Sequence, residues 1–176
     1  MRREFFLYLV FVLWSCALYF VLIQRSNAEV RNEQDMAGYS GTPLAKKLGI
    51  KDNFRIALIN APKEFSNTLG ALPASVKVSN RLVAQLDLIL FFVDSEKILN
   101  KEFAKLAKKL ATNGMLWIAW PKKSSGVATD LSFGPVQRIG LDSGLVDVKI
   151  CAVDEVWSGL KFVYRLKDRA KRDTKE

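Results

Sequence analysis

Hydrophobic residues downstream of residue 36 fall into short runs separated by polar turns and amphipathic stretches. Two runs, 86–93 (LDLILFFV) and 115–120 (MLWIAW), are almost continuously apolar. Such runs are typical of central parallel strands that are covered on both faces of a sheet. Strands are also predicted, from apolar or alternating composition between turn residues, at 54–60, 75–79, 146–153 and 160–166.

The clearest helix follows the first central strand. Leu99, Phe103, Leu106 and Leu110 are spaced by four, three and four positions, which places them on one face of a helix. Asp94-Ser95 is predicted to cap this helix, and Asn113-Gly114 to end it. Short helices are predicted at 43–48 and around 63–69, and a weaker one, interrupted near its start by Gly134-Pro135, follows the 121–129 loop and runs to about residue 143.

Alternating strands and helices predict right-handed parallel crossovers with helices on both faces of one sheet. The link between the last two strands, 154–159, is too short for a crossover, so these strands should form a hairpin. The predicted fold class is therefore α/β, with a mostly parallel Rossmann-like sheet that ends in an antiparallel hairpin. It resembles a reduced class I methyltransferase fold. This domain should span 36–166, and the charged tail 167–176 is predicted to be disordered.

The amino-terminal extension, 1–35, contains an uncharged hydrophobic stretch at 5–23. Its length just suffices for a helix to cross a hydrocarbon core of about 30 Å. Three interpretations stay open. The stretch is a signal anchor of a single-pass membrane protein; it is a signal peptide cleaved after 26–28; or the start is mis-assigned and the protein begins at Met36, which would make it cytoplasmic.

The charge, histidine and cysteine content limits which ligands, metal sites and catalytic groups are expected. The net charge is +9, and the extension before Met36 carries equal numbers of acidic and basic residues. The excess positive charge therefore belongs to the domain, where it favours anionic partners. Histidine is absent, which excludes histidine-based metal sites and catalytic triads. The two cysteines are far apart and give no zinc or disulfide pattern, so no metal site is predicted.

Several motifs resemble one bacterial family, the domain-of-unknown-function family numbered 3052. They are, in chain order, 36–44 (MAGYSGTPL), 46–50 (KKLGI), 116–123 (LWIAWPKK), 125–131 (SGVATDL), 144–147 (GLVD) and 154–160 (DEVWSGL). The resemblance covers nearly the whole domain. It implies a family but no activity, and members of that family usually begin near the GYSGTP motif.

Ligands of open α/β sheets bind beyond the carboxyl ends of the strands. The predicted topology brings four loops to that edge: 60–63, 94–95, 120–130 and 154–158. The third loop is the sharpest candidate, because lysines and exposed backbone N–H groups beside a helix start can hold an anion. An ordinary loop with a helix cap explains the same residues. The candidate anion-binding residues are Lys122, Lys123, Ser124, Ser125, Gly126 and Thr129.

The remaining candidates at this edge are carboxylates, indoles and one amide. Asp154 and Glu155 are weak candidates for an acid/base pair, and a hairpin turn whose charges are solvated or ion-paired is the favoured explanation. Trp120 and Trp157 could stack on a planar ligand or simply pack around the loops. Asn60 lies in the turn after the first strand.

A methyltransferase is expected to have a glycine-rich turn after its first strand and an acid after its second. Here these positions hold Asn60-Ala61-Pro62-Lys63 and Ser79-Asn80. Binding of S-adenosylmethionine is therefore not expected, and no cofactor is predicted. The favoured hypothesis is non-catalytic binding of an anionic small ligand or partner at the carboxyl edge. The alternatives are a divergent enzyme on the same scaffold and a basic nucleic-acid-binding protein.

Overall fold

The computed structural model describes residues 41–173, which form six strands, five α-helices and one 3-10 turn at Lys123–Ser125. The short apolar runs become strands and the amphipathic stretches become helices, as their periodicity predicts. In chain order the elements are α1 (Leu44–Leu48), β1 (Arg55–Ile59), α2 (Phe65–Leu69), β2 (Lys77–Ser79), β3 (Leu86–Phe92), α3 (Glu96–Lys108), β4 (Leu110–Pro121), α4 (Phe133–Asp142), β5 (Leu145–Ala152), β6 (Trp157–Tyr164) and α5 (Leu166–Asp173).

The strands form one sheet in the order β2-β1-β3-β4-β6-β5. The first four of these are parallel to one another. β6 runs antiparallel to both β4 and β5, because the turn between β5 and β6 allows only a hairpin. The predicted fold class is thus confirmed: a mostly parallel α/β sheet that ends in an antiparallel pair.

Each face of the sheet buries its own apolar cluster. The cluster under α3 and α4 includes Leu99, Phe103 and Val136. The cluster under α1 and α2 includes Leu48 and Phe65. β3 and β4 lie between the two layers and are buried almost throughout, which explains why their sequences are continuously apolar rather than alternating.

One boundary differs from its prediction. α3 ends at Lys108 and β4 already begins at Leu110, although Leu110 continues the apolar stripe of the helix. The backbone pairs Leu110 with Leu86 of β3 instead. Gly114 follows in the same strand, and a Cβ atom there would lie 2.6 Å from the Leu86 carbonyl oxygen. The close approach of the two strands therefore requires glycine at this position.

The amino-terminal cap of α3 also differs from its prediction. Ser95 makes no side-chain cap hydrogen bond. Instead, the Glu96 N–H donates a hydrogen bond to Asp130 Oδ1 at 2.6 Å. Asp130 lies in the loop that follows β4. A distant carboxylate thus satisfies an orphan N–H at the positive end of the helix dipole.

We expect Asp130→Ala to lower the free energy of unfolding by about 1 kcal/mol, because the variant loses this cap. Urea denaturation followed by circular dichroism measures the change. Asp142→Ala removes an exposed carboxylate from α4 and is the matched control, expected to change stability by less than about 0.5 kcal/mol. Equal losses in the two variants would show that the cap contributes nothing.

The beginning of the charged tail is helical, where disorder was predicted. α5 covers Leu166–Asp173, and Arg169 ties it to the domain. Its Nε donates to the Tyr164 carbonyl oxygen at 3.0 Å and its Nη1 to Asn113 Oδ1 at 3.1 Å. The predicted domain boundaries at residues 35 and 166 stay predictions.

Within residues 41–173, no helix is long and apolar enough to cross a membrane. This corrects the transmembrane and membrane assignment for the part of the chain that the structure covers. The predicted span at 5–23 lies outside the described residues.

Candidate functional site

A cleft opens at the carboxyl ends of β1, β2 and β3. From β1 the chain passes to β2 on one side, whereas from β3 it passes to β4 on the other side. The gap between β1 and β3 is therefore the switch point at which open α/β sheets bind ligands. The cleft has two depressions, which share Asn60.

The larger depression has a volume of about 810 Å³ and lies over the ends of β1 and β2. Its lining consists of Leu58, Asn60, Ala61, Val78, Ser79, Asn80 and Arg81. The smaller depression, of about 190 Å³, lies over the ends of β1 and β3. Its lining consists of Asn60, Phe92, Val93, Asp94, Ile98 and Trp157.

Asn60 makes the turn out of β1 without a glycine. Its φ is 55°, in the left-handed region that asparagine tolerates better than most residues. The chain can therefore turn sharply here and still place an amide group in the lining of both depressions. That amide offers two donors and one acceptor to a ligand.

A short polar turn follows β2. Ser79 Oγ accepts a hydrogen bond from the Arg81 N–H at 3.0 Å, which holds the backbone of Arg81 beside the larger depression. Arg81 is exposed, and no residue in 41–173 forms a hydrogen bond or ion pair with its guanidinium group. Its five donors are available to an anion. Sequence reasoning weighed Ser79 and Asn80 only as a missing acid and overlooked this arginine.

Trp157 forms one wall of the smaller depression. It packs edge-on against Phe92, with 5.1 Å between the ring centroids. Asp94 lies on the same depression with an exposed side chain. Thr129 Oγ1 donates to the Asp94 carbonyl oxygen at 2.6 Å, so the predicted residue Thr129 supports the end of β3. Asn60 and Trp157 are the two sequence-predicted residues that line the cleft.

The loop predicted to bind an anion is closed by its own hydrogen bonds. Lys122 Nζ donates to the Asp154 carbonyl oxygen at 2.6 Å. Ser125 directs both its N–H and its Oγ to the Lys122 carbonyl oxygen. A 3-10 turn covers Lys123–Ser125, and α4 begins at Phe133, seven residues after Gly126. Lys123, Ser124 and Gly126 are exposed, and their anion-binding role stays a prediction.

The predicted carboxylates and the second tryptophan lie in the hairpin turn and in the core. Asp154 Oδ1 accepts from the N–H groups of Val156 and Trp157, at 2.8 and 2.7 Å, so this carboxylate shapes the hairpin turn. Glu155 is exposed beside it. Trp120 is 5% exposed and belongs to the core, so it cannot stack on a ligand without repacking. Across the described stretch, no cluster of three or more acidic, cysteine or histidine residues could hold a metal ion.

No protein-family profile matches the chain, and no curated protein matches it. The resemblance to domain-of-unknown-function family 3052 is thus unconfirmed.

Several solved structures are similar to this chain in fold. Magnesium protoporphyrin IX methyltransferase (ChlM) from Synechocystis PCC 6803 with bound SAH is 10% identical, covering 69% of this chain and 78% of that chain, with a TM-score of 0.46. The same enzyme with bound SAM is 9% identical, covering 69% and 74%, with a TM-score of 0.47.

A third similar structure is a TehB-like SAM-dependent methyltransferase from Corynebacterium glutamicum. It is 12% identical and covers 80% of this chain and 97% of that chain, with a TM-score of 0.46. At such identities the likeness concerns the fold alone.

The expectation that S-adenosylmethionine does not bind is not upheld: two of these structures contain SAM or SAH, and the geometry of the turn after β1 removes part of the sequence ground for the exclusion. That expectation depended on two features, a turn after β1 without glycine and the lack of an acid after β2. The backbone at Asn60 is left-handed, as a glycine there would allow, so the first feature no longer excludes binding. In place of the acid, Ser79 and Asn80 line the larger depression with neutral polar groups.

Proposed function

We propose that the protein binds a small ligand with sugar-like hydroxyl groups and an anionic group in the cleft over β1, β2 and β3. The observation that carries the proposal is the position of the cleft at the switch point between β1 and β3, with Asn60 common to both depressions. This keeps the favoured hypothesis of anion binding at the carboxyl edge. It transfers the anion-binding role from the Lys122 loop to Arg81.

The size and chemistry of the cleft support a small molecule. The volume of the larger depression, about 810 Å³, lies within the roughly 300–1,000 Å³ typical of ligand pockets. Asn60, Ser79 and Asn80 offer neutral donors and acceptors that suit hydroxyl groups and heterocycle edges. Arg81 adds a planar cation that can hold a carboxylate or a phosphate through two hydrogen bonds.

S-adenosylmethionine fits this description, because it combines a ribose and a heterocycle with a carboxylate. Asn60, Ser79 and Asn80 would face its nucleoside part and Arg81 would attract its carboxylate. When bound, it would supply a transferable methyl group.

The same proposal includes membership of domain-of-unknown-function family 3052, supported by the six motifs that begin with 36–44 and end with 154–160.

Calorimetric titration of the full chain with SAM, SAH and ATP tests the proposal. We expect at least one of them to bind, and Arg81→Ala to weaken its binding by roughly tenfold or more, since a charge-assisted hydrogen bond contributes about 1.5–3 kcal/mol. Arg165→Ala is the matched control. Arg165 is also exposed, but it follows the carboxyl end of antiparallel β6 and so lies at the opposite edge of the sheet.

Two results would contradict the proposal. One is that none of the three probes binds the wild-type protein. The other is that Arg81→Ala and Arg165→Ala weaken binding equally, which would mean that the ligand responds to net charge and not to the cleft.

A further inference from the structure

Three long or bulky side chains form a row across the strands β4, β6 and β5. Trp117 of β4 pairs in register with Lys161 of β6, and Lys161 pairs with Lys149 of β5. Residues paired directly across a sheet project from the same face. Trp117 belongs to the apolar cluster under α1, so the two lysines lie on the α1 side and away from the cluster under α3 and α4.

These two ammonium groups have no acidic partner. Neither Lys149 nor Lys161 takes part in an ion pair anywhere in residues 41–173. Lys149 Nζ donates to the Lys47 carbonyl oxygen at 2.8 Å. Lys161 Nζ lies 6.0 Å from the centre of the Trp117 ring, at the outer limit of a cation–π contact. Like charges directly opposite one another destabilise a sheet.

The surroundings of Lys161 increase this cost. Burial lowers the pKa of Lys161, and the positive charges of Lys149 and Lys51 lower that pKa further, while Cys151 acts in the opposite direction. Burial also raises the pKa of the Cys151 thiol. That thiol is therefore uncharged at neutral pH and supplies no counter-charge.

Protection of an exposed sheet edge explains only one of the two lysines. β5 is an edge strand, and a lysine on an edge strand discourages pairing with other chains. This accounts for Lys149. It does not account for Lys161, because β6 is an interior strand between β4 and β5. A half-buried cation on an interior strand normally has a partner.

We propose that Lys149 and Lys161, here called the sheet-face lysine pair, bind the phosphate group of a small anionic molecule. A phosphate monoester carries about −1.5 to −2 charges at neutral pH and three acceptor oxygens. It can therefore offset more than one ammonium group at once, as a single carboxylate cannot. The site lies on a sheet face and not in the carboxyl-edge cleft, and it does not depend on the function proposed for that cleft.

The test is a titration of the full chain with inorganic phosphate and with pyrophosphate, followed by NMR of the backbone amides. Chloride at matched ionic strength is the blank. We expect saturable shifts around Lys149 and Lys161, and a loss of affinity of about tenfold in Lys149→Gln/Lys161→Gln. Lys97→Gln/Lys101→Gln removes the same charge from the exposed side of α3 and should bind like the wild type.

A second measurement, urea unfolding, tests whether the double variant is folded and how phosphate changes its stability. In phosphate-free buffer, Lys149→Gln/Lys161→Gln should unfold at a higher urea concentration than the wild type, because cross-strand repulsion is relieved. Added phosphate should stabilise the wild type but not this variant. Equal phosphate affinity in the two double variants, or the absence of saturable binding to the wild type, would overturn the proposal.

Discussion

Replacing Trp117 with alanine should lower the free energy of unfolding by about 3–5 kcal/mol. The side chain is fully buried and packs in the cluster under α1. Its indole Nε1 donates to the Leu48 carbonyl oxygen at 3.0 Å. That carbonyl is at the end of α1, so one side chain joins the central sheet to the first helix. Urea denaturation of the full chain measures the loss.

Trp117→Phe separates the two contributions of this residue. It keeps most of the apolar volume but leaves the buried Leu48 carbonyl without its donor, which should cost about 1–3 kcal/mol. A loss below about 1 kcal/mol in Trp117→Ala would contradict the packing described for this face.

Gly140→Ala should destabilise the protein by about 1–3 kcal/mol. In an ordinary helix the same change stabilises by roughly 0.5–1 kcal/mol, so the sign of the effect is the test. Gly140 lies in α4 against β6, and a Cβ atom there would collide with the ring of Phe162. Phe162 is fully buried and packs edge-on against Phe103, so its ring has little room to withdraw.

Gly134→Ala is the comparison variant in the same helix, because no atom outside its two chain neighbours and the nearby backbone of its own helix lies within 4 Å of the position of its added Cβ. Pro135 follows it and disfavours helical backbone at a residue that carries a Cβ, so we expect a loss, but a smaller one than for Gly140→Ala. Phe162→Leu should recover part of the loss caused by Gly140→Ala, since the two positions are coupled. Stabilisation by Gly140→Ala alone would contradict the close contact between α4 and β6.

Local pattern was sufficient to predict most of the fold. Continuous apolar runs identified β3 and β4, and the short link before β6 identified the hairpin, because both signals are carried by neighbouring residues. Leu110 was placed in a helix instead of a strand, since its spacing satisfies the helical stripe and only its pairing with Leu86 of β3 decides otherwise. The Asp130 cap joins residues 34 positions apart, and no local signal predicts such a contact.

The candidate site was predicted only in part, for a similar reason. The rule that ligands bind at the carboxyl edge selected Asn60 and Trp157, and these two residues share one depression. The Lys122 loop was chosen for its composition. Hydrogen bonds with Asp154 and within the loop engage Lys122 and Ser125, which local composition does not reveal, while Lys123, Ser124 and Gly126 are exposed. Arg81 was missed because no motif marks it. It lies beside the cleft only because β2 pairs with β1 in the sheet.

The cleft between Asn60 and Arg81 is the site that we propose for ligand binding. Backbone-amide NMR of the full chain, titrated with SAM, SAH and ATP in turn, is the decisive measurement. For at least one of the three we expect saturable shifts concentrated at 58–61, 78–81 and 92–94, the segments that contribute most of the lining of the two depressions. Shifts concentrated instead at Lys122–Gly126, or no saturable shifts with any of the three, would refute the proposal.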